Sequence, residues 1–125
     1  MPALNFKEQF IEPIQSGRKN HTIRADRKVP IKRGNRLYLY CGMRHAGAFR
    51  ILPEPVTCSR VEAIEINART SGIVVVGGVL LDYTERTRLA VADGFRCWDE
   101  MLAFWEGRLP FTGSIIHWHA RDRRI

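Results

Sequence analysis

The middle of the chain is a series of strand-like segments with no helix between them, and this order constrains the fold most. Each segment alternates apolar and polar residues or is rich in β-branched residues. The segments are HTIRA (21–25), LYLYCGM (37–43), VTCSRVEAIEI (56–66) and GIVVVGGVLL (72–81). The Gly77-Gly78 pair indicates that the last segment forms two short strands or contains a bulge. This order favours a small mixed β-barrel with flanking helices over a parallel α/β sheet.

Helical patterns flank the strand-rich region on both sides. FKEQFIEPIQSG can form a short helix capped by Asn5, although Pro13 weakens it or splits it into two turns. The segment 85–107 is helical apart from a break at Gly94. Its residues Trp98, Met101, Leu102 and Trp105 recur at helical spacing and should face the core. SIIHWHA is expected to be a closing strand, so the fold class is α+β.

The length predicts one domain, 1–125, with a core over about 4–119 and a basic tail at 120–125. No apolar run reaches the ~18 residues that a membrane span needs, and no signal-peptide pattern is present. We therefore expect a cytoplasmic protein without a membrane partner. Cys41, Cys58 and Cys97 are far apart and not in CxxC pairs, which indicates free buried thiols.

The formal net charge of +7 favours a polyanionic partner, above all nucleic acid or a phosphate-bearing ligand. Many of the excess cations lie in the loop RADRKVPIKRGNR and in the tail RDRR. The RNA-binding candidates of the loop are Arg27, Lys28, Lys32 and Arg33. A basic surface that is solvated and has no partner is an equal alternative on composition alone.

The segment SGRKNHTIR places Lys19, Thr22 and Arg24 close together. On a strand Thr22 and Arg24 share a face, whereas His21 and Ile23 point the other way. A lysine whose pKa is lowered by burial and by a nearby cation can take the proton of a hydroxyl nucleophile. The alternatives are solvated cations at the start of a strand, or a patch that binds phosphate or RNA.

Several motifs, taken in order from Phe6 to Trp118, resemble the ASCH domain family. The matching text is FKEQFIEPIQSGRKNHTIR, KRGNRLYLYCG, LAVADGFRCWDEMLAFW and SIIHW. The resemblance implies a PUA-like β-barrel and a link to RNA and nucleoside chemistry. A bacterial branch of this family hydrolyses N4-acetylcytidine with a lysine, a threonine and a glutamate.

The resemblance assigns the catalytic lysine and threonine to Lys19 and Thr22, and the carboxylate to Asp93, which is one methylene shorter than glutamate. Thr22 would attack the acetyl carbonyl, with Lys19 as general base. Asp93 would either orient Lys19 or protonate the leaving amine. No metal or other cofactor is implied. The candidates for substrate or phosphate binding are Arg24, Arg18, His21, Tyr38, Tyr40, Arg44 and His45.

RNA binding and metal binding are two further possibilities. Other members of the family resemble RNA-binding modules or are linked to ribonuclease activity, so a non-catalytic binder of single-stranded RNA or of a modified nucleotide is the alternative function. His117 and His119 are two residues apart and could ligate a metal. Without a third ligand in view, satisfied structural histidines are the stronger interpretation.

Overall fold

The computed structural model describes residues 2–43, 46–67 and 72–119 and shows a mixed α+β fold. The strands are β1 (Ala3–Phe6), β2 (His21–Ala25), β3 (Arg36–Cys41), β4 (Phe49–Arg50), β5 (Val56–Asn67), β6 (Ile73–Val76), β7 (Val79–Leu80) and β8 (Phe111–Trp118). The helices are α1 (Ile11–Gln15), which follows a 3₁₀ turn at Glu8–Phe10, α2 (Tyr83–Ala92) and α3 (Trp98–Trp105). No helix in these ranges is long and apolar enough to cross a membrane.

Strand β5 is the central strand of the eight-stranded sheet and pairs with β3, β6 and β8. It pairs antiparallel with β8 along most of its length, and β8 pairs antiparallel with β2. The start of β5 pairs with β3 and its end with β6, while β1 joins β3 in parallel. Among the described strands, β1, β2, β4 and β7 each have one neighbour, so the pairings form an open mixed sheet and do not close into a ring.

The core follows the alternation of the strands. Leu37 and Leu39 are buried in β3, whereas Tyr38 and Tyr40 lie on the other face and are partly exposed, as the sequence predicted. Helix α3 buries Trp98, Met101 and Trp105 against the sheet at helical spacing. Burying such large apolar side chains is the main favourable term in folding.

The beginning of the chain differs from the sequence-based expectation. Instead of a helix capped by Asn5, residues Ala3–Phe6 form strand β1, and only one turn of α-helix follows the 3₁₀ turn. The alternation of buried Leu4 and Phe6 with less buried neighbours fits a strand, and the hydrogen bonds offered by β3 stabilise it. The local helix propensity is overruled by pairing with a strand that is distant in the sequence.

Two glycine turns confirm the breaks expected from the sequence. Gly77 and Gly78 have φ values of 57° and 83°, which a two-residue type I′ turn requires, and they join β6 to β7. Gly94 has a φ of 103° and ends α2 in a Schellman motif. In that motif the N–H of Phe95 donates to the carbonyl of Ala90, and the N–H of Gly94 to that of Val91. The motif fixes the direction of Asp93, the C-cap residue of α2.

Candidate functional site

A cavity of about 240 Å³ lies between β2, the first turn of the chain, the end of α2 and helix α3. Lys19, Thr22, Arg24 and Asp93 all line it. Three of these residues come from the SGRKNHTIR segment, whereas Asp93 is 74 residues away from Lys19 in the sequence. The cavity is smaller than the ~300–1,000 Å³ typical of drug-sized ligands, so its interior suits one compact group.

Lys19 and Asp93 form a buried ion pair in the wall of the cavity. Lys19 is 2% exposed and Asp93 is 5% exposed. Lys19 Nζ donates to Asp93 Oδ1 at 2.7 Å and to the Asp93 carbonyl oxygen at 2.6 Å. The ammonium also lies 4.7 Å from the ring centroid of Phe10. These contacts hold the amine in one place and leave it surrounded by carbon and by one carboxylate.

Burial determines the protonation of the pair. Desolvation lowers the pKa of Lys19; the Asp93 carboxylate offsets part of this effect, and the charge of Arg24 adds a smaller decrease. Burial alone would raise the pKa of Asp93, but attraction to Lys19 and the proximity of His21 outweigh it, so this pKa lies below its usual range. Asp93 is therefore a carboxylate at neutral pH, and Lys19 is closer to losing its proton than an exposed lysine.

Thr22 and Arg24, which also line the cavity, are joined by a hydrogen bond. Arg24 Nε donates to Thr22 Oγ1 at 3.0 Å, and Arg24 Nη2 donates to the carbonyl oxygen of Asn5 at 2.6 Å. Desolvation is the main reason that the pKa of Arg24 falls to about 10, so the half-buried guanidinium keeps its charge at neutral pH. Because the Thr22 oxygen accepts this hydrogen bond, its own proton is free for a base, and a developing alkoxide would be stabilised.

His21 lies against the same carboxylate from the other side. Its Nε2 is 3.0 Å from Asp93 Oδ1, but the alignment is not that of a hydrogen bond. Both faces of β2 are covered at its start, where His21, Thr22 and Ile23 are all buried. The simple alternation of the strand therefore did not indicate that His21 and Lys19 contact one acid.

The remaining walls contain residues that the sequence analysis did not select. They are Asn5, Phe6, Lys7, Phe10, Phe104, Trp105 and Arg108, together with Ile23. The buried indole N–H of Trp105 finds no acceptor among the described residues. Phe6, Phe10 and Trp105 recur with the helical spacing that also predicts core, so periodicity does not separate a cavity wall from the interior. No sequence signal identified Lys7 or Arg108.

Several of the other candidates lie elsewhere. Arg18 is exposed and pairs with Glu12. Tyr38 and Tyr40 do not line the cavity, and the guanidinium of Arg50 lies 5.0 Å and 6.0 Å from their ring centroids. The loop residues Arg27, Lys28, Lys32 and Arg33 are exposed between β2 and β3. Arg44, His45 and the tail 120–125 lie outside the described residues.

His117, in strand β8, and His119, just beyond it, lie in different surroundings. His117 Nε2 lies 2.7 Å from Glu62 Oε1, and the His117 ring is 5.4 Å from that of His21. His119 is exposed just beyond β8. Within residues 2–43, 46–67 and 72–119, no group of three or more His, Cys, Asp or Glu side chains could hold a metal ion. Cys41 and Cys58 are buried free thiols, whereas Cys97 is exposed, contrary to the expectation of burial.

Comparison with known proteins adds no relative. No family model matches the chain. No curated protein and no solved structure matches it either.

Proposed function

We propose that this protein is a small amidohydrolase that removes the acyl group of N4-acetylcytidine or a similar acylated nucleoside. The main support is that one cavity is lined by the amine of Lys19, whose pKa is lowered, by the hydroxyl of Thr22 and by the carboxylate of Asp93. A PUA-like fold of the ASCH type is part of the same proposal. Its support is the motif order together with the mixed sheet and its packed helices.

The first chemical step in this proposal is acyl transfer to Thr22. Neutral Lys19 takes the Oγ1 proton while the oxygen attacks the acetyl carbonyl carbon. The tetrahedral intermediate collapses with cleavage of the C–N bond. The electron pair goes to the exocyclic nitrogen, which receives the proton from the Lys19 ammonium. The nucleoside then leaves, and Thr22 carries an acetyl ester.

The second step is hydrolysis of that ester. Neutral Lys19 takes a proton from water, the water oxygen attacks the ester carbonyl, and the C–O bond to Thr22 breaks. Acetate leaves and the Thr22 hydroxyl is restored. The Arg24 guanidinium stabilises negative charge on the threonine oxygen because its Nε already donates to that atom at 3.0 Å.

Asp93 acts as a positioning group in this scheme. Its pKa is held low, so at neutral pH it has no proton to give to a leaving amine. Its carboxylate and carbonyl oxygens both accept from Lys19 Nζ, which fixes the base. Of the two roles considered from the sequence, orientation of Lys19 is the one that these contacts favour.

The proposal is tested by incubating the purified protein with N4-acetylcytidine and measuring the released cytidine by liquid chromatography. We expect Thr22→Val and Lys19→Met to lower kcat/KM at least about 100-fold, the usual contribution of a nucleophile–base pair. Thr57→Val makes the same chemical change at an exposed position of β5 and should leave the rate unchanged. A wild-type protein without turnover, or full activity in Thr22→Val, would refute the amidohydrolase.

The exposed basic loop between β2 and β3 favours RNA binding as a second candidate function. Arg27 is close enough to Arg24 for its charge to lower the pKa of that residue, so at least one cation of the loop lies near the cavity. We expect the affinity for a single-stranded RNA oligonucleotide to fall with salt and to drop when the four loop cations are neutralised. Affinity that is absent at low salt, or independent of these residues, excludes this candidate.

A further inference from the structure

The cavity holds more positive than negative charge. Four cationic side chains line it, and Asp93 is the single carboxylate among its lining residues. That carboxylate is engaged by Lys19 at 2.7 Å. Arg24 is held by Thr22 and by the carbonyl of Asn5. The charges of the other two, Lys7 and Arg108, are met by no acidic side chain within the described residues.

These two cations converge on one aromatic ring from different parts of the chain. Lys7 follows β1, and its Nζ lies 5.0 Å from the centroid of Phe104. Arg108 follows α3, and its guanidinium carbon lies 4.8 Å from the same centroid. Both side chains are exposed, whereas Lys19 and Thr22 are buried. The pair therefore marks the mouth of the cavity, and the buried residues mark its inner end.

We propose that Lys7 and Arg108 form a subsite for a phosphate group carried by the substrate. This inference rests on the proposed function, because it places an acylated base at Thr22 and the phosphate of the same nucleotide at the mouth. The small interior fits the base, so the ribose and its phosphate extend outward toward the unpaired cations. A guanidinium and an ammonium are the groups that proteins use to bind phosphate oxygens.

Ligands that cannot react test the subsite separately from catalysis. The binding of cytidine, cytidine 5′-monophosphate and the dinucleotide cytidylyl-cytidine to the full chain is measured by isothermal titration calorimetry at low salt. We expect a phosphate-bearing ligand to bind about tenfold more tightly than cytidine, with a preference that shrinks as salt increases. A stronger effect of the monophosphate indicates a terminal phosphate, and a stronger effect of the dinucleotide indicates a phosphodiester.

Variants assign the preference to the two side chains. Lys7→Ala and Arg108→Ala should each reduce it, and the double variant should abolish it while affinity for cytidine stays near the wild-type value. Arg88→Ala removes one exposed cation of α2 that does not line the cavity, so it should keep the preference. Lys7→Arg and Arg108→Lys should keep most of the preference for phosphate-bearing ligands, because each retains the positive charge.

The outcomes separate this inference from the proposed function. Equal affinity for cytidine and both phosphate-bearing ligands overturns the subsite, even if deacylation is observed. A preference that survives in the double variant also overturns it. A preference that disappears in the double variant supports the subsite, even if N4-acetylcytidine is not hydrolysed, in which case only the amidohydrolase fails.

Discussion

Replacing Asp93 by asparagine tests the buried ion pair at the centre of the site. The substitution keeps the shape of the side chain but removes the charge that faces Lys19 Nζ at 2.7 Å. Removing one partner of a buried pair costs about 3–5 kcal/mol, because the other charge stays desolvated without compensation. The Asp93 carbonyl oxygen still accepts a hydrogen bond from Lys19 Nζ at 2.6 Å. We therefore expect the loss of stability to lie at the lower end of this range, at about 3 kcal/mol.

A second substitution separates the charge from the packing. Lys19→Met in the Asp93→Asn background removes the stranded ammonium and keeps an unbranched apolar side chain beside Phe10. The double variant should therefore recover at least about 1 kcal/mol relative to Asp93→Asn, as expected for residues in direct contact. Urea denaturation of the wild type, both single variants and the double variant gives the complete cycle.

The dependence of stability on pH has a definite sign for each partner. The pKa of Lys19 in the folded state lies below its ordinary value of 10.5, so the unfolded chain binds more protons in that window and stability rises with pH. Asp93→Asn should extend this rise to lower pH, because the carboxylate that favours the ammonium is gone and the pKa of Lys19 falls further. The lowered pKa of Asp93 stabilises the wild type above pH 3.8, and this contribution is lost as the pH falls through the folded value.

Two results would contradict a buried, charged pair of Lys19 and Asp93. The first is a loss of less than about 1 kcal/mol in Asp93→Asn, which would mean that the pair is hydrated and not buried. The second is a double variant that is less stable than Asp93→Asn, which would mean that Lys19 contributes through contacts other than this charge pair.

Three further predictions concern the frame of the site. Gly94→Ala should destabilise the protein by more than Gly34→Ala. Both glycines have positive φ, where a side chain costs about 1–2 kcal/mol, but only at Gly94 would the new Cβ lie 3.0 Å from Phe10. Equal losses of stability in urea denaturation would contradict this. Gly113→Ala should cost about 1–3 kcal/mol in the same assay, since its Cβ would lie 2.3 Å from the Arg24 carbonyl oxygen; unchanged stability would refute the tight pairing of β2 with β8. Burial lowers the pKa of His117, so stability should fall as the pH drops through 6.5, and His117→Gln should remove this loss; identical pH profiles would disprove it.

The sequence predicted the strands of the sheet better than the beginning of the chain. Strands β2, β3, β5 and β8 and the β6–β7 hairpin were predicted because alternation, β-branched residues and Gly77-Gly78 are local signals. Strand β1 is absent from the sequence-based expectation, in which Asn5 caps a helix that begins at Phe6. Pairing with β3 makes Ala3–Phe6 a strand. An interaction with a distant strand leaves no mark in a local pattern.

The same distinction holds for the site. Lys19, Thr22 and Arg24 were selected together because they lie within six residues, and Asp93 was selected by the motif resemblance. Lys7 and Arg108 were missed because they meet only where the end of β1 approaches the end of α3, at Phe104. His21 was placed on the opposite face because alternation assumes one covered face, whereas the start of β2 is covered on both.

Trapping an acyl-enzyme tests whether Thr22 is the nucleophile. Wild-type protein is mixed with N4-acetylcytidine, quenched in acid within the first turnover, digested and analysed by mass spectrometry. We expect one acetyl group on the peptide that contains Thr22, and this group should be lost on longer incubation and absent in Thr22→Val. Cytidine release without any acetylated Thr22, or an acetyl group carried stably by another residue, would contradict it.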